Sequence, residues 1–172
     1  MKKVVLIGYM GSGKSIISKK LSQKLKISFV ELDEEIEEIS KMSIEKLFSN
    51  KGELYFRKLE HQLFLELLSR TEDLIISTGG GTPCYFNNHE LLNGEGVVSI
   101  YLKASIDTLF KRLMYEKQKR PLIAHLEDNE LKEFIAKHLF DRSFYYNQAT
   151  YKVSVDDKNI DEVVDEITEL LA

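Results

Sequence analysis

At 172 residues the chain is about one domain of ordinary size, and its 43% hydrophobic and 30% charged residues supply both a core and a polar surface. With 24 Lys and Arg against 28 Asp and Glu it carries a net charge of −4, which argues against binding of bulk nucleic acid and confines any cationic site to a few placed side chains. A single cysteine, Cys84, excludes an internal disulfide and reads as an inert thiol, and no apolar run approaches the roughly 20 residues of a membrane span, so a cytoplasmic chain without a membrane partner is expected.

Residues 4–7 (Val-Val-Leu-Ile) read as a first strand, too short for a signal peptide and cut off by the glycines that follow. Residues 14–26 have helical spacing through Ile17, Leu21 and Leu25, and 28–32 form a second strand. Short helices are expected at 33–40 and 43–50, the latter opened by Ser43, and a long one at 53–69 with Leu59, Leu63, Leu67 and Leu68. Strands follow at 74–77 and 97–102, helices at 105–115 and 127–145, a last strand at 150–155 and a closing helix at 160–171. Alternating strands and helices predict one α/β domain over residues 1–172, three layers thick, with five parallel strands and right-handed crossovers. Ligands of such sheets lie beyond the carboxyl ends of the strands, and the polar residues there carry the chemistry.

The first such place is Gly8-Tyr9-Met10-Gly11-Ser12-Gly13-Lys14-Ser15, a G-x4-G-K-[ST] loop between a strand and a helix. Its glycines let backbone N–H groups face phosphate oxygens, and the helix N-terminus adds positive potential. Lys14 is expected to reach the β and γ phosphates of ATP and the Ser15 hydroxyl to ligate Mg²⁺. After the second strand, Glu31 and Asp33 share one side; Asp33 either orients and deprotonates an acceptor hydroxyl or merely caps the next helix. Arg57 and Glu60 stand three apart on one helix face, which also describes an ordinary surface ion pair. Gly79, Gly80 and Gly81 end the third strand, as a backbone closely approached by a ligand or as a flexible turn. Lys117-Gln118-Lys119-Arg120-Pro121-Leu122 is either a solvated basic loop or a lid that carries Arg120 to the transferring phosphate, Pro121 biasing Arg120 toward extended backbone. Arg142, in Asp141-Arg142-Ser143-Phe144-Tyr145-Tyr146, offers with Arg57 a two-armed grip on a carboxylate.

Together these pieces resemble the shikimate kinase family over nearly the whole chain. The phosphate loop, the Phe29–Asp33 stretch against F-x-D-x-D, Phe56-Arg57 and Glu60 against G-E-x-x-F-R-x-x-E, the glycine triplet, Arg120-Pro121-Leu122, and Arg142 with Tyr145 against R-x-x-x-Y keep the family's order. The resemblance implies transfer of the γ-phosphoryl of ATP to the 3-hydroxyl of shikimate in aromatic amino-acid biosynthesis, by a monomer of the nucleoside-monophosphate-kinase fold with strand order 2-3-1-4-5. It implies a mobile lid at 114–126 and a shikimate-binding region at 33–61. ATP would meet Gly11, Ser12, Gly13, Lys14, Ser15, Ile16, Arg112 and Arg120. Shikimate would meet Asp33, Arg57, Glu60, Gly79, Gly80, Gly81 and Arg142, with Lys14, Asp33 and Arg120 catalytic. Glu31 stands where the family has Asp, and would serve Mg²⁺ through water. Near the last strand only Lys158 stands in for the family's adenine-side arginine. The competing readings are another small-molecule kinase of this fold, such as a gluconate kinase, or a non-catalytic nucleotide switch.

Overall fold

The computed structural model describes residues 2–172. Strand β1 (Lys3–Ile7) is buried on both faces, which accounts for its unbroken apolar run. It pairs in parallel with β3 (Leu74–Ser77) on one side and β4 (Val97–Lys103) on the other. The edges are β2 (Ser28–Glu31) and β5 (Tyr151–Ser154), giving the order β2-β3-β1-β4-β5, as the resemblance implied. Leu6 and Glu31 both register with Ser77, so Gly8, Asp33 and Gly79 emerge close together beyond the carboxyl ends of the strands.

Helices α1 (Lys14–Leu25), α2 (Leu32–Ser40), α3 (Ile44–Lys51), α4 (Glu53–Ser69), α5 (Ile106–Glu116), α6 (Asp128–Tyr146) and α7 (Ile160–Leu171) cover the sheet. Their starts follow the expected chemistry: Ser43 and Ser105 accept from the third amide beyond them, and Asn159 with Glu162 forms a capping box. The ends differ by a residue or two from the sequence expectation. α1 stops at Leu25 because Lys26 takes a left-handed conformation (φ 56°), and β2 stops at Glu31 because buried Leu32 already belongs to α2.

Three 3₁₀ segments, Thr82–Cys84, Asn88–Asn93 and Lys117–Lys119, are new relative to the sequence reading. The first two carry the chain from the glycine triplet to β4, and the third begins the basic loop between α5 and α6. That loop is tied at both ends: Lys117 Nζ donates to the Leu126 carbonyl at 2.7 Å, and Ile123 is fully buried. Among the described residues, no helix is long and apolar enough to cross a membrane.

Candidate active site

The loop after β1 is built by its glycines. Gly11 and Gly13 have φ of 83° and 99°, a region costly for residues with a Cβ, and Gly13 is the N-cap of α1. Two carbonyls of the loop, Gly11 and Ser12, accept from Arg112 of α5 at 3.1 and 3.3 Å. Arg112, expected at the adenine, braces the phosphate loop and lines the cavity over it. Lys14 folds back to donate to the Gly8 and Tyr9 carbonyls at 2.5 and 3.1 Å. Burial lowers its pKa to about 8, an effect that Asp33 partly offsets.

A cavity of about 680 Å³ opens over this loop. It gathers Gly11 to Ile16, Glu31, Asp33, Gly79, Gly80, Arg112 and Arg120, together with Lys158 near the last strand. Lys158 itself pairs with Glu166 at 2.6 Å. Arg120 has the extended backbone expected before Pro121 (φ −121°, ψ 105°), and its guanidinium rests on Glu116 at 2.9 Å.

Asp33 does not cap α2: Glu31 occupies the N-cap position and Asp33 lies one residue inside the first turn. The capping alternative is therefore excluded. Burial raises the pKa of Asp33, against the pull of Lys14 and Arg57.

Of the residues expected at the acceptor, Asp33, Gly79 and Gly80 line that cavity, while Arg57, Glu60, Gly81 and Arg142 lie outside its lining. Arg57 and Glu60 are not a surface pair: they are 9% and 0% exposed, on the inner face of α4 with Phe56 and Leu63. Arg57 donates to Glu60 Oε1 at 3.0 Å, and its guanidinium stacks 4.0 Å from the Tyr85 ring. Arg142 of α6 lies over Tyr9, 5.6 Å from the ring centroid.

The triplet is narrow for a steric reason. A Cβ on Gly79 would stand 3.0 Å from Asp33 Oδ1, one on Gly80 3.0 Å from Arg142, and one on Gly81 2.7 Å from Arg57. Three functional side chains thus converge on three successive backbone positions, and Gly80 also faces the phosphate loop, its missing Cβ 3.7 Å from the Met10 amide. The glycines serve close approach, and the groups that approach are the protein's own.

Several neighbours escaped the sequence reading. Tyr146, not Tyr145, is the tyrosine four residues beyond Arg142; it is fully buried and its hydroxyl donates to the Gly80 carbonyl at 2.6 Å. Counting the R-x-x-x-Y spacing from Arg142 finds it. Tyr85 and Thr82 carried no such signal. Cys84 is half-buried, and burial pushes its thiol up to about 11, so it stays protonated, in keeping with an inert role.

Mg²⁺ was expected on Ser15, with Glu31 through water. Ser15 and Glu31 both line the cavity, and the Glu31 side chain is not used as a helix cap. A hard cation that keeps waters and phosphate oxygens needs only one or two protein oxygens, so this donor set fits.

The family model described as shikimate kinase matches residues 10–172. A shikimate kinase of Flavobacterium johnsoniae is 59% identical over 172 residues, covering 100% of both chains. The crystal structure of shikimate kinase from Bacteroides thetaiotaomicron superposes with a TM-score of 0.92 at 37% identity, covering 99% of this chain and 98% of that one. The solved structure of Acinetobacter baumannii shikimate kinase in complex with shikimate gives 0.88 at 27% identity, covering 99% of this chain and 93% of that one. With the phosphate loop, the half-buried Asp33 and two arginines against the glycine triplet in one arrangement, the chain belongs to the shikimate kinase family.

Proposed function

We propose that the chain, acting as one domain, moves the γ-phosphoryl of ATP to the 3-hydroxyl of shikimate, with Asp33 as base and Arg57 and Arg142 as the carboxylate grip. The observation that carries this is the pair of guanidinium groups against Gly80 and Gly81, beside Asp33 and the phosphate loop. Arg57 spends one amino group on Glu60 and Arg120 rests on Glu116, while Arg142 makes no ion pair among the described residues. A partly buried cation without a counter-charge is a receptor for an anion, and two forked donors suit a planar carboxylate. The acceptor is thereby a small hydroxy acid; shikimate is the one bound in the A. baumannii relative.

In this reading Lys14 and the loop amides hold the β and γ phosphates. Asp33 accepts the hydroxyl proton as its oxygen attacks phosphorus, and the phosphoryl leaves ADP. Arg120 leaves Glu116 to stabilise the transferring group as the segment 114–126 closes. Mg²⁺, held from Ser15 with Glu31 through water, neutralises phosphate charge when bound. The reading carries with it a monomer in the cytoplasm.

A coupled assay of ADP release with and without shikimate tests the proposal. Arg57→Lys and Arg142→Lys should each raise KM for shikimate about 10- to 150-fold, the value of one charge-assisted hydrogen bond, with KM for ATP unchanged. ADP release indifferent to shikimate would leave a nucleotide switch as the answer.

A further inference from the structure

Behind Arg57 lies a chain of hydrogen bonds that the reaction as described does not use. Glu60 is fully buried, and each of its oxygens has one donor: Arg57 on Oε1 at 3.0 Å and the Thr82 hydroxyl on Oε2 at 2.8 Å. Thr82 is also fully buried, in the 3₁₀ turn directly after the triplet, and its own carbonyl accepts from Asn88 Nδ2 at 2.9 Å. Asn88, again with no exposure, turns its Oδ1 to His61 Nδ1 at 2.6 Å. Since the Asn88 amide nitrogen is committed to Thr82, its oxygen is the acceptor and His61 the donor, which fixes the His61 tautomer. His61 follows Glu60 on α4, so the chain closes on the helix from which it started.

We propose that Thr82, held in place by Asn88 and His61, is a positioning residue for Arg57 that acts through Glu60. The physical reason is the geometry of a carboxylate. A buried carboxylate anchored by one donor can swing about that contact, and its other oxygen is left without a partner at a cost. A second donor on the opposite oxygen fixes its plane, and a fixed plane fixes the guanidinium that pairs with it. The Tyr85 ring, 4.0 Å from Arg57 Cζ, restrains the guanidinium on a face but not its rotation within its own plane. Gly79 keeps the carboxylate–hydroxyl pair clear of the chain, its missing Cβ 3.3 Å from Thr82 Oγ1 and 3.4 Å from Glu60 Oε2. The bond is local to this relay: the Thr82 hydroxyl touches neither the phosphate loop nor Arg142 among the described hydrogen bonds.

The inference rests on the reading of Arg57 as a carboxylate ligand, and the test separates the two. Thr82→Val keeps the shape and removes the donor. It should raise KM for shikimate about 10-fold, the low end for losing one charge-assisted hydrogen bond, with kcat and KM for ATP held within about twofold. Thr82→Ser, which restores the hydroxyl, should return KM to the parent value. With shikimate methyl ester, which offers Arg57 no carboxylate, the parent and Thr82→Val should agree within about twofold. If Thr82→Val fails to fold, Thr82→Ala removes the same donor without added bulk and carries the same expectation. An unchanged KM for shikimate, an equal loss in Thr82→Ser, or a fall in kcat together with a rise in both KM values would overturn the proposal. Arg57→Lys run in parallel identifies which idea failed: if it raises KM while Thr82→Val does not, the relay is wrong and the carboxylate grip stands. If neither variant moves KM, the grip is wrong and the relay falls with it.

Discussion

Gly81→Ala is the most informative single methyl group to add to this site. The backbone at Gly81 has φ −95° and ψ −7°, which alanine adopts without strain, so any effect must come from the side chain it meets. That side chain is Arg57, whose NH2 and NH1 would lie 2.7 and 2.8 Å from the new Cβ, with Cζ at 3.0 Å. Ordinary contact begins at 3.4 Å, so the guanidinium must retreat by about 0.7 Å. The tip of a long side chain normally yields at little cost, but this one is bonded to Glu60 at 3.0 Å and stacked against Tyr85. The structural cost is therefore about 1 kcal/mol, the low end for overpacking. The functional cost is larger, because a misplacement near 1 Å can lose about 10²-fold. In the coupled ADP assay, KM for shikimate should rise about 10- to 100-fold with KM for ATP unchanged. Gly80→Ala, whose Cβ would meet Arg142 at a milder 3.0 Å, should do less. A Gly81→Ala enzyme with parental KM for shikimate, or one impaired more weakly than Gly80→Ala, would refute the convergence of the two arginines on these positions.

Two further predictions concern the charges over the phosphate loop. Because burial brings Lys14 to about 8, kcat/KM for ATP should fall as pH rises through about 8, where free enzyme loses the cation that attracts phosphate. Bound phosphates favour the charged form, so the limb in kcat should lie at higher pH; a profile of kcat/KM that stays flat well above 8 contradicts this placement of Lys14. Asp33→Asn should lower kcat about 10²- to 10⁴-fold. The same variant should melt at an equal or higher temperature, since it replaces a carboxylate whose charge burial disfavours, and an active Asp33→Asn enzyme would remove Asp33 from the chemistry.

What was legible in the sequence follows from how local each determinant is. The strands stood out because β1 is buried on both faces and so carries an uninterrupted apolar run. The phosphate loop stood out because its backbone angles at Gly11 and Gly13 dictate residue type at fixed spacing. The start of α3 was marked by Ser43, whose side chain bonds the amide three residues on; Ser105 and Asn159 do the same for α5 and α7 in the structure. The 3₁₀ turns of Thr82–Cys84 and Asn88–Asn93 had no such marker, being too short to show a period. Arg57 and Glu60 were ambiguous because an i, i+3 ion pair looks the same in sequence whether it faces water or the core. Only the packing of α4 against the turn after the triplet decides that it is buried. The role of Thr82 is a tertiary fact of the same kind, a hydroxyl 22 positions away from its carboxylate.

Under the proposed function, half-buried Asp33 and fully buried Glu60 divide their work by their partners and not by their acidity. Asp33 and Glu60 both approach Gly79, at 3.0 and 3.4 Å from its missing Cβ, and burial raises the pKa of both. By acidity alone either could serve as base. Glu60, however, has Arg57 on one oxygen and Thr82 on the other, so an incoming hydroxyl would have to displace a charge-assisted bond in a fully buried place. Asp33 accepts no side-chain hydrogen bond among the described residues, lines the cavity above the phosphate loop, and has Lys14 as the strongest charge acting on it. A base must have a free oxygen on the cavity, and of these two carboxylates only Asp33 offers one, which supports the proposed assignment. It follows that Glu60→Gln, which still offers an oxygen to Arg57, should act mainly on KM for shikimate, whereas Asp33→Asn acts on kcat; if the two variants exchanged these effects in the same ADP assay, the division would be wrong.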